Sequence, residues 1–298
     1  RNMPSFVVLR DPRGYTDGGN NHWKNGWLPA IYGGTEIRSE GDAVLNLKPA
    51  RKVPEDVRSR NLQLLAALNR GRQQFYPEDS RLESRIRNYE LAARMQTSAE
   101  QLLDISGETA ATRTLYGLDN EITADFGRRC LMARRMVESG VRFVELMVPV
   151  VHGGNPFDSH TNLEPGLKKI CPMVDQPSAA LIRDLKQRGL LDSTIVIWSG
   201  EFGRLPISQS GTGRDHNRHA FSTLLAGGGF RNGHVHGSTD EIGYRSVVDP
   251  VSVHDLHATL LHQLGVDHHE LSFPHNGRDE RLTDPEVTGA RVVRELLS

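Results

Sequence analysis

The stretch Thr194-Ile-Val-Ile-Trp198 is followed directly by Ser199-Gly-Glu-Phe-Gly-Arg204. An unbroken apolar and β-branched run predicts a buried strand, and the glycines after it let the backbone approach a ligand closely. The run Val141 to Val151 has the same character and leads into a polar loop, His152 to Asn162. In open parallel sheets, ligands bind beyond the carboxyl ends of the strands, so both loops are candidate parts of one site.

A helical pattern lies between these two predicted strands, from Glu164 to Gly189, and we expect its three prolines to kink or divide it. Strand, helix and strand in this order predict parallel pairing with right-handed crossovers. Phe221 to Ala226 is the third predicted strand. The expected fold class is therefore α/β, a mostly parallel sheet with helices on both faces.

Residues 1–140 read as the loop-rich and helical part of a single domain, 1–298, in which residues 141–298 carry the candidate site. Phe6 to Leu9 predicts a strand, and Pro54 to Gly140 has apolar residues at helical spacing, which predicts an additional helical layer. Helix ends are predicted at three pairs of residues: Thr97 with Glu100, Thr123 with Gly140, and Ser252 with Asp255.

Composition excludes several classes of function. The 298 residues carry a formal net charge of -1, which provides no general attraction for nucleic acid or an anionic membrane surface. No apolar run approaches the roughly 20 residues needed to cross a bilayer. Cys130 and Cys171 lack the spacing of a zinc or redox motif, so we expect buried thiols and not a disulfide or a reactive site.

Three polar clusters contain residues typical of metal sites: Asp158-Ser-His160, the acid Glu201, and Gly213-Arg-Asp-His216. Each has a simpler interpretation alone, since Glu201 in a glycine-rich turn can be merely solvated. Together they supply carboxylates and imidazoles for one or two ions of the zinc or manganese type. The candidate ligands are Asp158, His160, Glu201, Asp215 and His216, and the candidate anion-binding residues are Arg204 and Arg214.

The remaining histidines have simpler explanations. His257 falls on the apolar stripe of a predicted helix, which favours a core position. His268 and His269 follow the end of that helix, and we expect them at the surface. Asn217 and His219 lie beside the Asp215-His216 pair and are candidates for orienting the ligands.

From Pro4 to Leu297 the sequence resembles the DUF1501 proteins, which belong to the alkaline phosphatase-like superfamily with sulfatases and phosphomutases. The matching stretches are Phe157-Asp-Ser-His160, Trp198-Ser-Gly-Glu-Phe-Gly-Arg204, Gly213-Arg-Asp-His216, Leu225-Ala-Gly-Gly-Gly229 and Asp255-Leu-His-Ala-Thr-Leu-Leu-His-Gln-Leu-Gly265. The resemblance implies an alkaline phosphatase-like fold in which Asp158, His160 and His216 hold one metal ion. Glu201 would take the place of a second-site acid, with Phe202 where relatives have histidine.

The resemblance also implies a nucleophile and an export signal in residues that precede this segment, and hence an exported protein. Cys130-Leu-Met-Ala-Arg134 has Met132 where the sulfatase motif has proline, so we do not interpret it as that motif. The catalytic nucleophile is therefore unassigned. We expect metal-dependent hydrolysis of a small anionic phosphate or sulfate ester. The alternatives are an exported binding or scaffold protein with a degenerate site and a phosphomutase-like transferase.

Overall fold

A computed structural model describes residues 3–15, 18–40, 53–77, 80–148 and 157–298, so His152 and the end of the Val141 to Val151 run lie outside the described residues. The chain divides into two compact units. The first comprises the described residues of Arg1–Pro156 together with Cys171–Leu181, and the second comprises Phe157–Ile170 and Ile182–Ser298.

The first unit contains a three-stranded parallel sheet. Its strands are β1 (Phe6–Leu9), β2 (Thr35–Ile37) and β3 (Phe143–Leu146), in the order β2-β1-β3. Val7, Val8 and Leu9 of the central strand have no exposed surface. Side chains buried on both faces are typical of a parallel sheet and explain the continuous apolar run. The predicted strands at Phe6 and after Val141 are confirmed, but β3 is not buried on both faces as expected, since Phe143 is 56% exposed.

Four helices of the first unit lie between β2 and β3 along the chain. They are α1 (Glu55–Phe75), α2 (Ser80–Leu103), α3 (Ala110–Leu115) and α4 (Ala124–Glu138). Helix α4 follows Thr123 at its N-cap and ends before Gly140, whose φ of 91° is accessible mainly to glycine, as predicted. The helix start predicted at Thr97 is wrong, because α2 continues through that position. A capping-box pattern is not sufficient when the preceding residues are also good helix formers.

A buried arginine connects α4 to the end of β1. Arg129 has no exposed side-chain surface, and its guanidinium lies 2.9 Å from Asp125 and 3.5 Å from Asp11. It also donates a hydrogen bond of 2.5 Å to the carbonyl oxygen of Met147, just after β3. The buried guanidinium fixes the helix against the sheet, since its contacts join α4 to the chain after β1 and after β3.

Helix α5 (Leu163–Gln187) occupies the segment predicted to be helical. It contains Pro172 and Pro177 yet is not divided into separate helices, which corrects that part of the expectation. The buried apolar residues Ile170, Val174, Ala180 and Leu185 lie along it. Packing of an apolar face therefore outweighs the two lost backbone hydrogen bonds.

The second unit has only short antiparallel pairs of strands among its described residues. They are β4 (Val196–Trp198) with β7 (Leu224–Ala226), β5 (Gly203–Arg204) with β6 (His216–Asn217), β8 (Ser238–Thr239) with β9 (Ser246–Val248), and β10 (Ser272–His275) with β11 (Arg278–Arg281). The mixed α/β class is confirmed. The expected large, mostly parallel sheet is not observed in the described part of the chain.

The strand that led to the parallel prediction is placed differently. Val196 pairs with Ala226 and Trp198 with Leu224, so β4 and β7 are antiparallel. Ile197 is 41% and Trp198 47% exposed, which corrects the expectation of a strand covered on both faces. An apolar run predicts extended backbone but not its partner or direction.

The second unit ends with two further helices, α6 (Val253–Gln263) and α7 (Pro285–Thr288). The predicted N-cap of α6 is confirmed, because Ser252 and Asp255 form a reciprocal capping box. His268 is buried and lies 3.0 Å from the hydroxyl of Thr283, so its predicted surface position is wrong. Among the described residues, no helix has the length and apolar character required to cross a membrane.

Candidate metal centre

Strands β5 and β6 bring two of the predicted site segments side by side. Their register places Arg204 opposite His216 and Gly203 opposite Asn217. Gly203 has no room for a side chain, because an added Cβ would lie 1.8 Å from the carbonyl oxygen of Ala220. Glycine is therefore required there for close backbone approach. This explains in part why Arg204 follows a glycine in the sequence.

Two hydrogen bonds to its main chain attach the loop that carries Asp158 and His160 to the segment before His216. The N–H of Arg214 donates to the carbonyl oxygen of Ser159 at 2.9 Å, and the hydroxyl of Ser210 donates to the carbonyl oxygen of His160 at 2.5 Å. Gly213 again has no space for a Cβ, which would lie 2.0 Å from the His160 carbonyl oxygen. The two polar loops are thus held together independently of any ion.

Asp158, His160 and His216 converge through one atom each. Oδ1 of Asp158 lies 3.1 Å from Nε2 of His160 and 2.9 Å from Nε2 of His216. The two Nε2 atoms are 3.2 Å apart. The three atoms form a nearly equilateral triangle, and this is the group of potential metal ligands found among the described residues.

The dimensions of this triangle fit a small divalent ion. With bonds of about 2.1 Å, donors about 3 Å apart subtend roughly 90–100° at the ion, between a tetrahedral and a facial octahedral arrangement. Two imidazoles and one carboxylate are ligands of zinc, manganese or ferrous iron, and three protein ligands leave positions for other molecules. The His160 and His216 side chains are 46% and 48% exposed, so the site opens to solvent.

Asp215 determines which nitrogen of His160 faces the triangle. Its Oδ1 lies 2.8 Å from Nδ1 of His160, and its Oδ2 accepts a hydrogen bond of 2.9 Å from the N–H of Gln209. The hydrogen bond with His160, followed by that from Gln209, holds the pKa of Asp215 below its ordinary value. A carboxylate at Nδ1 favours a proton there, which leaves the lone pair of Nε2 directed at the other two donors.

Arg204 is the cation nearest to the triangle among the contacts described. Its Nη1 donates a hydrogen bond of 2.6 Å to Oδ1 of Asp158, the same oxygen that faces the two histidines. Burial acts to raise the pKa of Asp158, but hydrogen bonds from His216 and Arg204 outweigh burial and lower it from its ordinary value. The carboxylate is therefore ionised and available for a cation at neutral pH.

A cleft of about 310 Å³ adjoins the triangle. Phe202 and Arg204 line it, and each also contacts a member of the triangle, since the Phe202 ring lies 4.3 Å from the His216 ring. The other residues that line it are Gly200, Gly203, Ala220, Phe221, Ser222, Thr239 and Gly243. The cleft residues after Ala220 were not identified from the sequence, because serine, threonine and phenylalanine are common in every class of loop.

The remaining predicted site residues are not part of the triangle. Glu201 is exposed and is not in the group of three, and the Arg214 guanidinium donates to the carbonyl oxygen of Gly213. The Asn217 side chain binds the backbone of Tyr244 and His219 at 2.9 Å in each case. Asn217 therefore supports the chain around β6 and does not contact the three donors through these bonds.

The two cysteines are free. Cys130 is buried on α4, and burial raises the pKa of its thiol to about 12. A thiol that stays protonated at neutral pH is a poor nucleophile. This agrees with the interpretation that Cys130 does not belong to a sulfatase motif. Cys171 is only half-buried, in contrast to the sequence expectation.

Comparison with known families identifies a match along almost the whole sequence. A family profile described as "Protein of unknown function (DUF1501)" covers residues 1–297. The chain belongs to the DUF1501 family. Comparisons with curated proteins and with solved structures found no match. The matched range contains residues of both units and all three donors of the triangle, but the family description assigns no activity to them.

Proposed function

We propose that this chain is an alkaline phosphatase-like hydrolase domain that binds one zinc or manganese ion and cleaves a phosphate or sulfate ester. The observation that supports this is the triangle of Asp158, His160 and His216 donor atoms, with sides of 2.9, 3.1 and 3.2 Å. Three acceptors directed at one point repel each other unless a proton or a cation lies between them. A divalent ion fits the donor set.

The residues around the triangle have separable roles in this proposal. Asp158, His160 and His216 would hold the ion, which would supply Lewis acidity for the ester. Asp215 orients His160 through Nδ1. Arg204 binds the peripheral oxygens of the substrate anion, for which its planar guanidinium is suited.

The Arg204–Asp158 contact links metal binding to anion binding. In the structure the guanidinium neutralises the carboxylate at 2.6 Å. A divalent cation bound to Asp158 would weaken the attraction between this carboxylate and Arg204. Repulsion between the two cations would then favour movement of the guanidinium away from the ion. Arg204 also lines the cleft, so the released guanidinium would have an anion site within reach.

Phe202 favours a second candidate, an exported binding or scaffold protein. Its ring lies 4.3 Å from the His216 ring and occupies the position that the resemblance gives to a second-metal histidine. A single ion is sufficient for binding without chemistry. Hydrolysis separates the two functions, because both allow metal and ligand binding but only the enzyme turns over an ester.

The first test is metal content and affinity. We expect the purified chain to bind one zinc or manganese ion per molecule, and His160→Ala and His216→Ala each to remove that binding. His254→Ala is the matched control, since His254 is exposed on α6. Calorimetric titration with zinc or manganese alone measures all four proteins. Equal binding by the wild type and His216→Ala would contradict the assigned ligands.

The second test is turnover of p-nitrophenyl phosphate and p-nitrophenyl sulfate by the metal-loaded chain. Release of nitrophenol that is lost in His216→Ala supports the hydrolase. Stoichiometric metal binding without turnover of either ester supports the binding protein, and a preference between the esters identifies the transferred group.

A further inference from the structure

The cleft beside the triangle has a consistent chemistry. Among the described residues that line it, Arg204 is the only charged one. Its guanidinium also lies 5.6 Å from the centroid of the Phe202 ring, at the boundary between the cleft and the triangle. A single fixed cation at one end and an uncharged remainder favour a ligand with one anionic end and a neutral body.

Two aromatic rings line the cleft. Phe221 is 44% exposed, although large apolar side chains usually find cover, and Phe202 forms the side nearest to His216. Glycines at 200, 203 and 243 contribute backbone without side chains. An exposed aromatic side chain in a concave surface is a typical contact for a flat or ring-shaped ligand group. Such a ligand is rigid, so it loses little conformational entropy when it covers the side chain.

Two hydroxyl groups complete the lining. Ser222 and Thr239 belong to the cleft, and within the described part of the chain no hydrogen bond involves either hydroxyl. A purely hydrocarbon ligand would remove these groups from water without replacing the hydrogen bonds, which weakens binding. A ligand with its own hydroxyls would satisfy them.

The volume limits the size of the ligand. Small-molecule sites usually span roughly 300–1,000 Å³, and this cleft, at about 310 Å³, lies at the lower end. It has room for one ring and one anionic group.

We propose that the cleft binds the alcohol part of a phosphate or sulfate ester of a single hydroxyl-bearing ring, such as a monosaccharide ester. The ring lies against Phe221, its hydroxyls bond to Ser222 and Thr239, and its anionic group reaches Arg204 and the triangle. This assignment rests on the proposed hydrolase function and specifies its substrate class.

The test is calorimetric binding of five probes: glucose 6-phosphate, glucose 6-sulfate, phenyl phosphate, glycerol 3-phosphate and inorganic phosphate. We expect the glucose esters to bind about tenfold more tightly than glycerol 3-phosphate and inorganic phosphate, from contact with one aromatic ring and two hydroxyls. Phenyl phosphate should fall between them. The difference between the two glucose esters identifies the preferred anion.

Two variants assign the preference to the cleft. Phe221→Ala should reduce the affinity for glucose esters about tenfold and leave inorganic phosphate unchanged. Phe75→Ala is the matched control, because Phe75 is 81% exposed on α1 in the other unit. Thermal unfolding of each variant verifies that it is folded. Equal affinity for all five probes, or loss of glucose-ester binding in the control alone, overturns the proposal.

The titrations are carried out with the wild type in the presence of zinc and with His216→Ala without metal. If the wild type neither binds zinc nor cleaves esters, but still binds glucose esters more tightly than glycerol 3-phosphate through Phe221, the hydrolase function fails and the cleft assignment stands. If zinc binds and esters are cleaved without a ring preference, the cleft assignment fails alone.

Discussion

Asp215→Asn is expected to weaken metal binding although the substitution preserves shape. The Asp215 carboxylate accepts two hydrogen bonds, one shared with Nδ1 of His160 at 2.8 Å and one from the N–H of Gln209 at 2.9 Å. Asparagine has a single acceptor oxygen and an NH₂ group that only donates. If the oxygen keeps the bond to Gln209, the NH₂ faces Nδ1 and favours the tautomer with its proton on Nε2.

A proton on Nε2 of His160 lies at the position where the ion binds. Loss of partners that orient ligating histidines typically reduces metal affinity 10–100-fold, and we expect Asp215→Asn to reach at least the lower value. Zinc titration by calorimetry measures the affinity, and ¹⁵N NMR of the histidine rings reports the tautomer. Asp192→Asn, on an exposed side chain of the same unit, is the control. Unchanged zinc affinity together with an unchanged His160 tautomer would refute this reasoning.

Three other predictions test separate contacts. Arg204→Ala should bind zinc about tenfold more tightly, because a cation next to Asp158 is removed, and bind phosphate more weakly; both are measured by calorimetry. Arg129→Met should lower the free energy of unfolding by about 1–3 kcal/mol in denaturant titrations, since it leaves the carbonyl oxygen of Met147 without the guanidinium donor and removes a buried cation beside Asp11. Burial raises the pKa of Glu145 above its ordinary 4.5, so the folded state loses stability as the pH rises through that raised pKa. Glu145→Gln should therefore be more stable than the wild type at pH 7 but not at pH 4 in thermal unfolding.

Helices and their ends were predicted best where the signal is local. Ser252 and Asp255, three residues apart, form the predicted capping box. Thr123 and Gly140 bracket α4 as predicted, and the positive φ of Gly140 is a property of that residue alone. The failure at Thr97 has a local cause too, because the preceding residues continue the helix. The position of His268 depends on Thr283, which is distant in the sequence and carries no signal of its own.

Sheet pairing was predicted poorly in the second unit because strand direction is not encoded in an apolar run. The stretch Thr194 to Trp198 predicts extended backbone, and β4 is extended, but its partner β7 is antiparallel. The site prediction used the parallel direction, because it placed both polar loops at the carboxyl ends of parallel strands, but the three donors come together without it. Asp158, His160 and His216 converge through antiparallel β5 and β6 and through loop contacts between Ser159 and Arg214. The grouping was predictable from residue types, whereas the orientation of Asp215 depends on its contacts with His160 and Gln209, for which the sequence carries no signal.

Phe202 bears on the prediction of one or two ions. Five acids and histidines suggested that number, but a site for a second ion needs donors directed at a second point. The Phe202 ring lies 4.3 Å from the His216 ring and 5.6 Å from the Arg204 guanidinium, and an aromatic ring offers no donor atom. Glu201 remains exposed beside it. In the proposed single-ion centre, a divalent ion and Arg204 would together exceed the one negative charge of Asp158, and this positive excess would favour an anionic ligand.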